Sequence, residues 1–376
     1  MKNCKPHPPE ILFLVSSLKQ SGPTRQLLYL TSGLDRQQFY ARVLTLSPEC
    51  AASMSADFAA ADIMVESLNL NRVQGLLCSR QGVLDALHER SSCIVHGQGI
   101  RADLLLSRLP TSVHRATTVR ANLRYDYPRK FGRTIGSVMS RIHYRALRSL
   151  DHVFCVSAEV KEDLARHGIR ATIVYNGVDT SWYQPCSPTE RRNLRAKLGI
   201  PQDATVFASV GALIVRKDPL SVINGFALAS KGQNYRLVML GDGILMDTCR
   251  KAASETPGVL LPGNVKDVRP WLQASDVYVS ASTSEGLPNG VLEALSCGLP
   301  VCLSDIAGHS EILRVMPDAG ALFRVGDIPS LSEAMRILAV MSPTLQPKAL
   351  ALARCHFSAT AMAQSYQRFY ADFLSA

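Results

Sequence analysis

Ser284-Glu285-Gly286-Leu287-Pro288-Asn289-Gly290-Val291-Leu292-Glu293-Ala294 joins two runs of different character. Asp276-Val277-Tyr278-Val279-Ser280, just before it, is short and apolar and reads as a buried parallel strand. Val291-Leu292-Glu293-Ala294-Leu295-Ser296-Cys297 reads as a helix ending at Gly298 and Pro300. A turn rich in Gly, Pro and Asn connects them. A strand, a loop and a helix N-terminus in that order offer unpaired backbone N–H groups and a partial positive charge. Both favour phosphate or developing negative charge. Glu285 falls in the loop, and Glu293 falls about one turn inside the helix. Ionised carboxylates are acceptor-only groups, so the first suits sugar hydroxyls and the second ribose hydroxyls. For two glutamates taken alone, a solvated charge at each place is the simpler account. The surroundings weigh against it.

The whole chain sets the frame for that segment. Its 376 residues exceed one ordinary core and suit two domains. Apolar residues make up 47 % and charged residues 19 %, which excludes a disordered chain. Lys and Arg number 41 against 31 Asp and Glu, a net charge of +10. That excess suits nucleotide diphosphates, a lipid phosphate, an anionic membrane surface or nucleic acid. A merely basic surface explains it equally well. The ten cysteines are scattered singly, without a CxxC pair or a Cys/His cluster, and read as reduced cytosolic thiols. No uncharged apolar run approaches the roughly 18 residues of a spanning helix. The expected location is cytoplasmic, soluble or peripheral on the inner face of the cytoplasmic membrane.

Short apolar runs alternate with helix-length segments throughout. Strands are predicted at 11–15, 42–46, 63–66, 93–96, 117–119, 152–156 and 172–175, then at 205–211, 236–241, 259–261, 276–280, 301–304 and 321–323. This alternation predicts an α/β fold of two Rossmann-like, doubly wound parallel sheets with helices on both faces. Asn176-Gly177-Val178-Asp179 makes a turn after the seventh strand, and a polar, proline-bearing stretch follows to Arg192. Two such domains would face each other across a cleft. Ligands in these folds bind outside the carboxyl ends of the strands.

Four loops of the second half would reach that cleft. Gly211 to Pro219 carries Arg216 and Lys217, cations able to neutralise a diphosphate leaving group. Alone, such a pair is more often a surface feature. Gly241-Asp242-Gly243 lets backbone approach a ligand, though it is also a common turn. Pro262 to Val268 would pass Val265 and its neighbours along the edge of a base, or is a plain connection. The Glu285–Glu293 segment is the fourth.

In order and spacing these loops resemble the nucleotide-binding half of the GT-B glycosyltransferases, in particular the retaining group called glycosyltransferase family 4. Glu285 and Glu293 match its E-x7-E signature, Lys217 matches its diphosphate-binding lysine, and Asn176-Gly177-Val178-Asp179 matches the end of its first domain. The resemblance covers nearly the whole chain and is strongest from Val210 to Leu313. It implies that Glu285 orients the donor sugar and that Glu293 holds the ribose. Amides around the segment Gly286-Leu287-Pro288-Asn289 would hold the sugar and phosphates. Lys217, Glu285 and Arg216 form the implied catalytic group. No cofactor and no metal are expected, because Lys, Arg and helix dipoles replace a metal; no Asp-x-Asp motif is present. Domains are expected at 1–182 and 183–357, with a helix over 358–376 packing back on the first.

Two positions depart from the family. Ala212 stands where an arginine is common, and Arg120 stands where a strand-end histidine faces the donor sugar. The expected acceptor side comprises Gly22, Thr24 and Arg25 of a glycine-bearing loop, His96 at a strand end, and Arg120. Alternatively, His96 is a structural histidine. Arg124, Tyr125, Tyr127, Arg129, Lys130, Arg133, Arg141, Tyr144, Arg145 and Arg148 make one stretch basic and aromatic, suited to an anionic membrane surface or to an ordinary solvated helix. No recognised RNA motif accompanies this charge, so nucleic acid is not an expected partner. The expected substrates are a nucleoside diphosphate sugar and a glycan acceptor, lipid-linked, in cell-surface polysaccharide assembly. A non-hydrolysing nucleotide-sugar epimerase and a catalytically silent binding protein share this architecture and remain alternatives.

Overall fold

The computed structural model describes residues 8–71, 79–87 and 93–375. Cys4 and Cys78 lie outside the described residues. Among the described residues thirteen strands form two parallel sheets, one in each of two units: 1–176 with 359–376, and 177–358.

The first unit holds β1 (Glu10–Val15), β2 (Tyr40–Thr45), β3 (Met64–Ser67), β4 (Cys93–Gln98), β5 (His114–Val119), β6 (His152–Cys155) and β7 (Ala171–Ile173). Their order is β3-β2-β1-β4-β5-β6-β7, so the strand order reverses between β1 and β4. The continuous apolar run of β1 is buried on both faces because helices cover both. Leu12 and Leu14 point to one core, with Leu105, Tyr144 and Leu147. Ile11, Phe13 and Val15 point to the other, with Leu27, Leu30, Tyr366 and Tyr370. The last two belong to the terminal helix Ala359–Ser375, which packs against the helix Gly22–Gly33. Gly33 permits this: a Cβ there would lie 2.7 Å from the Ala363 Cβ.

The second unit holds β8 (Thr205–Val210), β9 (Tyr235–Leu240), β10 (Val259–Gly263), β11 (Val277–Ser280), β12 (Val301–Ser304) and β13 (Gly320–Phe323), in the order β10-β9-β8-β11-β12-β13. Here the order reverses between β8 and β11. Phe207, Met239, Val277 and Val279 pack under the helices Pro219–Ala229 and Ile328–His356, while Val206, Val238 and Leu240 face the opposite core. The helix Ile328–His356 runs 29 residues through Pro343 and Pro347.

Candidate active site

The reversal point between β8 and β11 places two loops side by side. Lys217 and Arg216 lie on a short 3-10 turn, Val215–Lys217, after β8. Glu285 lies in the loop after β11. Thr283 N donates to Arg216 O at 2.8 Å and ties the two loops together. Lys217 Nζ sits 2.6 Å from Glu285 Oε1, and Arg216 Nη1 sits 2.7 Å from Oε2. Arg216 Nη1 also donates to Ser284 O at 2.7 Å. Ser282 Oγ donates to Glu285 Oε1 at 2.9 Å. Burial pushes the Glu285 carboxyl up, but Lys217 and then Arg216 outweigh it and hold it at about 2. The three residues named from the sequence as the catalytic group thus meet around one ionised carboxylate. Gly211, Ala212, Lys217 and Ser280 line a pocket beside it, so the lysine borders open space.

Gly286, Leu287 and Pro288 carry the chain from Glu285 into the helix Asn289–Ser296, whose N-terminus no side chain caps. Glu293 is on this helix and is buried, with Tyr278 close enough to feel its charge. Gly241 and Gly243 have a structural reason to be glycine. A Cβ at Gly241 would lie 1.9 Å from Gly211 O, and one at Gly243 would lie 2.4 Å from Leu213 O. They let the loop after β9 press against the loop after β8. Val265 packs in the separate apolar cluster around Val206, Val238 and Leu240.

Ser304 and His309 were not singled out in the sequence. Ser304 Oγ donates to Ser282 O at 2.6 Å and braces the Glu285 loop. His309 Nδ1 lies 3.0 Å from the Ser304 carbonyl oxygen. A carbonyl only accepts, so Nδ1 carries the proton and Nε2 keeps a bare lone pair, buried and without a partner among the described residues. Burial pulls His309 down to about 4, with the Glu285 charge opposing. A Cβ on Gly308 would lie 2.6 Å from Gly286 O, so the segment rests directly on the loop it braces. The findable signal was a third strand-loop-helix junction, after β12.

In the first unit the predicted acceptor-side residues do not gather in the same way. Ser21 caps the helix Gly22–Gly33, accepting from Thr24 N at 3.3 Å. The Thr24 hydroxyl donates to Lys19 O at 2.7 Å, so it holds the turn, and Arg25 continues the helix. His96 is not at a surface. It is fully buried, 2.8 Å from Thr118 Oγ1 and 2.7 Å from the Tyr370 hydroxyl, and it stacks on Phe154. Burial, and then the Arg120 charge, lower it to about 3. It is a neutral core histidine, which corrects the acceptor-side expectation. Arg120 follows β5 and donates from Nη1 to Asn176 Oδ1 at 2.6 Å.

Two family descriptions match the two halves of the chain in turn. Residues 20–182 match Glycosyltransferase Family 4, and residues 204–340 match Glycosyl transferases group 1. The putative glycosyltransferase EpsD of Bacillus subtilis is 32 % identical over 169 residues, 44 % of each chain. An Escherichia coli enzyme, UDP-Gal:alpha-D-GlcNAc-diphosphoundecaprenol alpha-1,3-galactosyltransferase, is 31 % identical over 225 residues, 54 % of this chain and 56 % of its own. The matches thus span about half the length of these relatives. The crystal structure of Anabaena Alr3699/HepE with UDP superposes with a TM-score of 0.81 at 19 % identity, over 96 % of this chain and all of that one. The chain belongs to the glycosyltransferases of the GT-B fold. Its first part is the family 4 domain and its second the group 1 domain.

Proposed function

We propose that this protein is a sugar transferase of class EC 2.4. It moves a hexosyl or N-acetylhexosaminyl group from a nucleoside diphosphate sugar to a lipid-linked glycan in polysaccharide assembly, with retention at the anomeric carbon. The observation that carries this reading is the Lys217–Glu285–Arg216 cluster at the carboxyl end of the second sheet. On this reading Glu285 occupies both cations until a donor arrives. The diphosphate then takes Lys217 and Arg216, and Glu285 turns to a sugar hydroxyl. The bond from the anomeric carbon to the leaving phosphate oxygen breaks, and its electron pair goes to that oxygen. The two cations meet the charge there. The acceptor oxygen bonds to the anomeric carbon and passes its proton to the leaving diphosphate oxygen. Glu293 holds the ribose of the donor. The UDP in the Anabaena neighbour and the undecaprenol-linked acceptor named for the E. coli relative support the two substrate classes.

A place at the membrane surface has its own support. No helix among the described residues is long and apolar enough to cross a bilayer. The helices Leu123–Phe131 and Arg133–Leu147 instead expose Phe131, Ile135, Val138 and Ile142 among their basic residues. That mixture suits an anionic lipid surface.

Melting curves against a panel of nucleoside diphosphate sugars test the site, because a ligand that binds only the folded state raises Tm. One donor should stabilise the protein and fail to stabilise Lys217→Ala. With acceptor present, Lys217→Ala should lose roughly 100-fold or more in turnover, and EDTA should change nothing. A donor altered without any acceptor would point to an epimerase. Donor binding with no turnover on any acceptor would point to a silent binding protein.

A further inference from the structure

Three side chains near the carboxyl end of the first sheet hold buried polar atoms without a hydrogen-bond partner among the described residues: Gln98 Nε2, Arg120 Nε and Nη2, and Asn122 Oδ1. Gln98 ends β4 beside Val15 of β1, where the strand order reverses. In open α/β sheets, ligands bind outside such a reversal point. The pleat puts Gln98 on the same face as His96, and Arg120 on the same face as Thr118. His96 and Thr118 bond to each other, so Gln98 and Arg120 share one face of the sheet. Both keep some exposed surface, and Gly99 next to them faces open space.

Arg120 is held in an unusual way. Its Nη1 is tied to Asn176 Oδ1, which fixes the guanidinium plane. The two orphaned nitrogens, Nε and Nη2, form one edge of that plane. This edge is the fork that receives a phosphate or carboxylate through two parallel bonds. Among the described residues no carboxylate pairs with Arg120; its electrostatic neighbours are His96 and the hydroxyls of Tyr366 and Tyr370. A buried guanidinium with an unmet fork is costly to keep unless a ligand meets it.

We propose that Arg120 and Gln98 form an oxyanion subsite for the phosphate of the acceptor. Arg120 takes two oxygens through Nε and Nη2, and Gln98 Nε2 supplies a further donor. The lipid-borne source is favoured because the same unit exposes the apolar and basic helix Arg133–Leu147. The assignment to the acceptor rests on the transferase reading; the binding of an oxyanion does not.

Calorimetric titration of the full chain with farnesyl diphosphate and with inorganic pyrophosphate tests this. Farnesyl diphosphate should bind wild type and Lys217→Ala alike, and about tenfold or more weakly in Arg120→Gln. Arg120→Lys keeps the charge but not the fork, and should weaken it too. Arg120→Gln should melt no lower than wild type, because it removes an unpaired buried charge. Pyrophosphate binding as tightly, with the same dependence on Arg120, would keep the subsite and make free phosphate its source. Unchanged binding in both Arg120 variants overturns the proposal. So does a loss that follows Lys217→Ala, or a steep fall in Tm of Arg120→Gln, which would make the arginine structural. If no nucleoside diphosphate sugar binds while farnesyl diphosphate still does, only the transferase reading fails.

Discussion

Glu285 shows how one residue takes its character from its neighbours. Burial alone would favour the neutral acid, yet two cations within hydrogen-bond reach keep it ionised. Its folded pKa is lowered, to about 2, from the ordinary 4.5. Its contribution to stability is therefore fully present above about pH 4.5, and it fades as the pH falls toward 2. Wild type should exceed Glu285→Gln in Tm at pH 7, with the gap closing only below pH 4.5. Parallel melting curves down to pH 3 would mean that the ion pairs carry no net stability. His309 has the same sign by another route. It is neutral when folded, with a pKa of about 4 against the usual 6.5, so it disfavours folding only as the pH drops through that window.

Two helices carry arguments of their own. In Arg133–Leu147, Gly136, Ser140, His143 and Leu147 face the unit while Ile135, Val138 and Ile142 face solvent. Gly136 allows the helix to touch the preceding one, since a Cβ there would fall 2.4 Å from the Tyr127 backbone. Replacing Val138 and Ile142 together by Glu should leave Tm within a degree or so of wild type, because both are exposed. The same change should abolish cosedimentation with anionic vesicles; retained cosedimentation would remove the apolar face from the account. In the terminal helix Ala359–Ser375, Tyr366 and Tyr370 are fully enclosed and bond to Thr118 and His96. Tyr370→Ala removes a large ring and leaves His96 Nδ1 without its partner. A cost of about 3 to 5 kcal/mol is expected by chemical denaturation. A cost under about 1 kcal/mol would mean the helix is dispensable to that core.

Each of the two units closes its own core, but they use the chain differently. Residues 177–358 are continuous and contain the whole Lys217–Glu285–Arg216 cluster. That fragment should fold alone and give a cooperative melt. Residues 1–176 lack the helix that supplies Met362, Ala363, Tyr366 and Tyr370 to their core. Produced alone, they should aggregate or melt without cooperativity, and adding 359–376 through a linker should restore folding. A stable, cooperative 1–176 fragment would overturn this division of the chain.

The strand pattern was legible because parallel strands buried on both faces are continuous apolar runs, and each predicted run corresponds to a strand of the two sheets. The Glu285–Glu293 spacing and Lys217 were legible for a local reason: strand, loop and helix N-terminus are neighbours in sequence. The helix Ile328–His356 was not, since Pro343 and Pro347 argue against a helix and only tertiary packing overrides them. Nor was the fate of His96. A histidine at a strand end can line a site or fill a core, and Tyr370, 274 positions away, made it core. Arg120 was visible in the sequence as a cation at a strand end. Its empty fork was decided by Asn176 taking Nη1 and by the lack of a carboxylate paired with it among the described residues, a matter of three-dimensional placement. Local order therefore fixed the elements and the loop chemistry, while long-range contacts settled which polar groups are satisfied and which are left for a ligand.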